Sequence, residues 1–151
     1  MRASDAARPA VAGRLHHQQV VGSSASGSSP DVRLLHAAIA DEHALLLTCL
    51  SSLHGRPRLK PVLAPLVTQQ RAHIAGLRAA LTDAGRGPQS RPRRFRGNRD
   101  DALGRVRSAL VDAQRHRRDD ALAASSGLLA RLLASVSASH AVASAQGSLR
   151  P

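Results

Sequence analysis

Four stretches of this chain space their apolar residues by alternating steps of four and three, and that period limits the chain to a helical fold. A repeat near 3.6 gathers side chains on one face of an α-helix, whereas a half-buried strand needs strict alternation. The first series is Leu35, Ile39, Leu46, Cys49 and Leu53, and the second is Leu63, Leu66, His73, Leu77 and Ala80. The third, Leu103, Val106, Leu110 and Ala113, is the weakest; the fourth is Leu129, Leu133, Val136, His140 and Ala143. Phe95 is the only aromatic residue among 151, so the core has to be built from Leu, Val, Ile and Ala. Such side chains suit closely packed helices better than sheets, which draw on aromatic and β-branched residues. The expectation is an all-α fold, an antiparallel up-down-up-down four-helix bundle.

Helix boundaries follow from local chemistry. Asp31 stands where an N-cap is needed, and His54-Gly55 closes the first helix, giving 31–54. The second helix is expected over 62–84, with its regular part starting near Pro65 or its first turn bent there. Proline in a helix interior removes a hydrogen bond and clashes with the preceding turn. The third is expected over 100–124, opened by Asp100 and Asp101, and it contains the charged run Arg115 to Asp120. Ser125-Ser126-Gly127 breaks the pattern, and the fourth helix runs over 128–146 with Gly147 as its stop. The bundle thus occupies 31–147, with 148–151 as a tail. Short links at the first and third joints make each helix pair antiparallel.

Two segments fall outside the period. Residues 1–30 are rich in Ser, Gly and Ala and read as a disordered arm. Residues 86–99, RGPQSRPRRFRGNR, hold six arginines and no acid, half of the net charge of +12. Arg91, Arg93, Arg94 and Arg96 in this loop are candidate anion-binding residues, for nucleic acid or another acidic partner. The plainer reading is a solubilising loop in a chain whose Ala and Arg richness reflects a GC-rich coding sequence. Phe95 alone gives no stacking platform for single strands.

One cysteine, Cys49, excludes an intrachain disulfide and any multi-cysteine metal site. No stretch reads as a membrane span, and the first thirty residues lack the apolar run of a secretory signal, so the expectation is a cytoplasmic protein. No nucleophile triad or phosphate-binding glycine motif stands out, and the reading is of a non-enzyme.

The polar residues inside the seams carry the functional signal. Glu42 falls between Ile39 and Leu46, Gln70 and His73 lie within the second seam, and His140 lies within the fourth. A carboxylate in an apolar bundle needs a partner, a metal ion or a proton. Two readings stay open. Glu42, His73 and His140 hold one divalent metal ion, zinc or another borderline metal, with Gln70 and Asp112 as second choices. Alternatively, the histidines and Gln70 only hydrogen-bond Glu42. His36 and His43 flank the first seam as further ligands or as surface residues, while His116, among arginines, reads as solvated.

The segments AIADEHALL (38–46), LVTQQRAHIAGL (66–77) and SGLLARLLASVSASHAVA (126–143) resemble the ferritin-like four-helix bundles. The likeness is nearest to poorly characterised bacterial members, some of them exported, and it spans most of 31–147. That superfamily draws one Glu from each of two helices and a Glu-x-x-His pair from each of the other two. The resemblance implies that Glu42 is the first-helix carboxylate and that Gln70 to His73 is the second-helix pair, with Gln for Glu. In the fourth helix His140 stands where a Glu is expected and Ala143 where a His is expected. The third offers only Asp112, Asp119 or Asp120. The resemblance therefore implies a degenerate bundle with too few carboxylates for two ions, open to self-association, in which a single ion and a metal-free hydrogen-bonded cluster both stay open.

The anion-binding alternative has a direct test. Replacing Arg91, Arg93, Arg94 and Arg96 by Ser abolishes salt-sensitive retention on DNA or RNA and leaves helicity unchanged, as read by column elution and circular dichroism. Wild-type protein that fails to bind at low salt rules that reading out.

Overall fold

Each of the four seams forms a helix in the computed structural model, which describes residues 29–84, 102–146 and Leu149. Helix α1 is Pro30–Leu53, α2 is Lys60–Ala84, α3 is Ala102–Ala123 and α4 is Gly127–Ala145. A single 3-10 turn, Pro57–Leu59, precedes α2, and no strand occurs among the described residues. The fold is an all-α four-helix bundle. Of the expected arm over residues 1–30 only Ser29 and Pro30 are described, Pro30 as the first residue of α1; the rest of it, the arginine-rich segment 86–99 and the stop at Gly147 lie outside the described residues.

The helices differ from expectation where a tertiary contact outweighs a local signal. Pro30 takes the first turn of α1, where its missing N–H costs nothing. Asp31 does not cap its own helix; its two carboxylate oxygens accept the backbone N–H groups of Ser125 and Ser126, each at 2.8 Å. It thereby satisfies donors at the entry to α4, where Ser126 also accepts the N–H of Leu129. Gly55 adopts φ 69°, the left-handed conformation that turns the chain after α1. Helix α2 starts at Lys60, two residues before the expected 62, and runs through Pro65, where the regular part was expected to start or the first turn to bend. Pro65 and Pro61, whose carbonyl loses its donor, both lie on the exposed side, so the lost bond falls beside solvent.

The direction of α3 is a second correction. Asp31 at the start of α1 reaches Ser125 and Ser126, Asp41 reaches Arg117, and Ser52 Oγ donates to the Ala102 carbonyl at 3.4 Å. Helices α1 and α3 are therefore antiparallel neighbours. Helix α1 is flanked by α2 and α3, and α4 by α3 and α2. The order is up-down-down-up, not up-down-up-down. Ala84 and Ala102 consequently sit at opposite ends of the bundle. An α3 of 22 residues is about 33 Å long. The seventeen residues 85–101 reach about 56 Å when extended, ample to recross that length. A link this long permits either direction, so its length alone does not choose between them.

The core has three layers along the bundle axis. At one end Leu35, Ala38, Leu77, Leu129 and Leu133 pack together. At the other, Leu45, Cys49, Leu63, Leu66, Val106, Leu110 and Ala143 form the larger cluster, closed by Leu149. Leu149 was expected in a tail; it is fully buried instead. Between the clusters lie Asp41, Glu42, Gln70, Arg117, Ser137 and His140, all buried. Two helices, Pro30–Leu53 and Gly127–Ala145, do reach the length and apolarity of a membrane span, contrary to the expectation that none would. Each contributes its apolar seam to the bundle core.

Truncating Leu110, which is fully enclosed, to Ala lowers stability by about 2–5 kcal/mol, whereas Leu122→Ala, at a site 81% exposed, changes it by about 0.5 kcal/mol or less. Chemical denaturation measures both; equal losses contradict the core described.

Candidate metal centre

Successive residues on a helix point about 100° apart, so Asp41 and Glu42 face different neighbours from the middle of α1. Both are fully buried. Glu42 points toward α2 and α4. Its Oε1 accepts from His140 Nε2 at 3.0 Å, and its Oε2 lies 3.4 Å from His73 Nδ1. The two imidazoles meet edge to face, with centroids 5.1 Å apart and planes at 80°. One ligand atom from each of the three residues lies within 4.8 Å of the other two. His140 is fully enclosed, and the His73 side chain retains 13% exposure, which makes its edge the route between the cluster and solvent.

Burial by itself pushes the Glu42 carboxyl up. The hydrogen bonds from His140 and His73, then the positive charges of His140 and Arg117, outweigh burial and bring it from 4.5 to about 2. Glu42 is thus an anion held in the bundle interior by imidazoles, which is the electrostatic setting of a metal ligand as well as of an ion pair. Cys49 is not a fourth ligand: it sits in the apolar cluster, and burial pushes its thiol up to about 12.

The second-choice ligands separate. Gln70 is fully buried one turn before His73, and neither polar atom of its amide has a partner among the described residues. The neighbouring Gln69 side chain donates to Ser139 Oγ, which sets this part of α2 level with His140. Asp112 is excluded from the site; it pairs with Arg115 at 3.6 Å and its side chain is 30% exposed. Its place one residue before the buried Ala113 turns it off the seam. His43 is also outside, bonded to Arg78 at 2.9 Å, and His36 does not join the cluster.

Beside this cluster lies a second one that the sequence reading missed. Arg117, fully buried, donates to Asp41 Oδ2 at 2.7 Å and meets Asp120 Oδ2 at 2.8 Å. His116, expected among solvated residues, is half-buried with Nδ1 3.6 Å from Asp41. The signal was present in the spacing. Steps of four and three from Val106 through Leu110 and Ala113 lead directly to Arg117 and Asp120. Both polar types masked the continuation of the seam. Asp119, adjacent to Asp120, points outward and pairs with Arg118.

Because the folded-state Glu42 carboxyl is depressed, its contribution to stability is complete above about pH 4.5 and disappears as the pH falls toward 2. The shift corresponds to about 3 kcal/mol at most. Wild-type protein loses this amount over that window and Glu42→Gln does not, as read by denaturant unfolding at successive pH values. Parallel losses in the two proteins refute the assignment.

No protein-family model, curated protein or solved structure matches the chain.

Proposed function

We propose that this chain is a ferritin-like four-helix bundle that holds one divalent metal ion through Glu42, His73 and His140 and acts by binding, not by catalysis. The observation that carries the reading is the convergence of one carboxylate and two imidazoles from three helices, with ligand atoms mutually within 4.8 Å. Ligands 2.0–2.2 Å from a tetrahedral ion stand about 3.3–3.6 Å apart; the two histidine nitrogens lie 3.0 Å and 3.4 Å from the two separate oxygens of Glu42, so the three groups close on an ion by a small movement. A donor set of two imidazoles and one carboxylate suits zinc or a similar borderline ion.

The ferritin-like assignment is supported by the topology. Of the three helix connections only α2 to α3 runs from one end of the bundle to the other, and one long crossover is the ferritin-like pattern. Against two-metal chemistry stands Arg117, which already engages the two remaining carboxylates.

Untagged protein dialysed against zinc retains one ion per chain by elemental analysis. His73→Ala and His140→Ala each weaken retention by about tenfold or more. Glu42→Leu strips the ion and lowers the Tm of the loaded protein by more than that of metal-free protein, where only the carboxylate's bonds to the two histidines are lost. Zinc that is not retained, together with the same Tm change for Glu42→Leu with and without zinc, makes the cluster a hydrogen-bonded pair of histidines on a carboxylate and nothing more.

A further inference from the structure

Arg117 is the largest buried side chain that the Glu42 site does not use, and its bonding is unusual for its type. A guanidinium normally recognises a carboxylate with its fork, through two parallel N–H···O bonds to one partner. Here one nitrogen, Nη2, is shared between Asp41 of α1 and Asp120 of its own helix, at 2.7 Å and 2.8 Å. Neither Nε nor Nη1 has an acceptor among the described residues, although the side chain is fully enclosed. What the group delivers is positive charge at a point between two carboxylates, with the His116 imidazole 3.6 Å from the same Asp41 oxygen. A bound metal ion delivers the same thing to the same donor types, without stranded N–H groups.

We propose that Asp41, Asp120 and His116 form a cation site of which the Arg117 guanidinium is the permanent occupant, and that the site accepts a divalent ion of the zinc class once the guanidinium is removed. Two carboxylates from neighbouring helices and one imidazole are donor types that such an ion takes, although with the guanidinium between them their ligand atoms do not all lie within 4.8 Å of one another. The side chains close inward around it, because metal–ligand distances are shorter than the N–H···O distances they replace. The arrangement gives the bundle a built-in counter-ion. It neutralises part of the buried carboxylate charge in every condition and keeps that half of the polar layer closed to metal, whatever happens at Glu42.

Two substitutions separate charge from shape. Arg117→Met keeps the aliphatic stem that packs in the core and removes the charged head, whereas Arg117→Lys keeps a positive charge. Zinc per chain is measured by equilibrium dialysis and elemental analysis, with Tm recorded with and without zinc. Arg117→Met is expected to bind one ion more than wild type, whatever number wild type holds, and to gain more Tm from zinc than wild type gains. Adding Asp120→Ala or His116→Ala removes the extra ion. Folding of Arg117→Met only in the presence of zinc supports the proposal equally, and Arg117→Lys is expected to keep the wild-type stoichiometry. A folded Arg117→Met that takes up no extra ion overturns it. So does an Arg117→Met that stays unfolded in zinc while Arg117→Lys folds, since a divalent ion then cannot serve where an ammonium can. Failure of both variants to fold overturns it as well, because the cluster then needs the guanidinium's shape and not a cation. The Glu42 site is judged on the wild-type count alone, so the two readings fail separately.

Discussion

Two adjacent carboxylates, buried in the middle of one helix, impose a demand that all three other helices have to meet. Ionised side chains taken out of water are costly unless charge and hydrogen bonds surround them. Because Asp41 and Glu42 are consecutive, they point to different neighbours, and one helix cannot satisfy both. Helices α2 and α4 answer Glu42 with His73 and His140, and α3 answers Asp41 with Arg117. Every helix is tied to α1 at the same depth. A shift of one turn along any of them would strand a buried charge, so the polar layer fixes the axial register more tightly than interchangeable leucines could.

The apolar ends give this layer its strength. Leucine-rich clusters on both sides, with Leu149 over one of them, keep water away from the middle. In that setting an ion pair or a metal–ligand contact is stronger than it would be at the surface, and an unpaired group is correspondingly worse. The two halves of the layer also sense each other, since the Arg117 charge contributes to holding down the Glu42 carboxyl. The clefts on the outside of the molecule, including a groove of about 520 Å³ between α3 and α4, are not lined by any of the three Glu42-site residues. The His73 edge is the part of the site that retains exposure.

The chain direction follows from the same pairing. Asp41 can reach Arg117 while Asp31 reaches the turn before α4 only if α3 runs against α1. That choice places the ends of α2 and α3 at opposite ends of the bundle and requires a crossover between them. A bundle of the same four helices with α3 reversed would keep its apolar seams but lose the Asp31 contacts and move Arg117 away from Asp41. The polar residues, not the leucines, select the topology.

Much of this was determined by the sequence alone, because helical period is a local property. The fourth seam, Leu129, Leu133, Val136, His140 and Ala143, is buried at each of its positions. The same period put Glu42, His73 and His140 on interior faces, which suffices to bring them together once the seams meet. Only the tertiary structure decided what depends on neighbours. Asp31 was placed as a cap for its own helix and caps the entry to another. Pro65 was read as the start of the regular helix or a bend in its first turn and is tolerated inside the helix on an outer face, and the isolated Leu149 becomes a plug. Arg117 and Asp120 continue a seam that ends, by residue type, at Ala113. Burial of a charge is not written in its own period; it depends on whether an opposite charge waits on the next helix, and that is known only when the direction and adjacency of the helices are fixed.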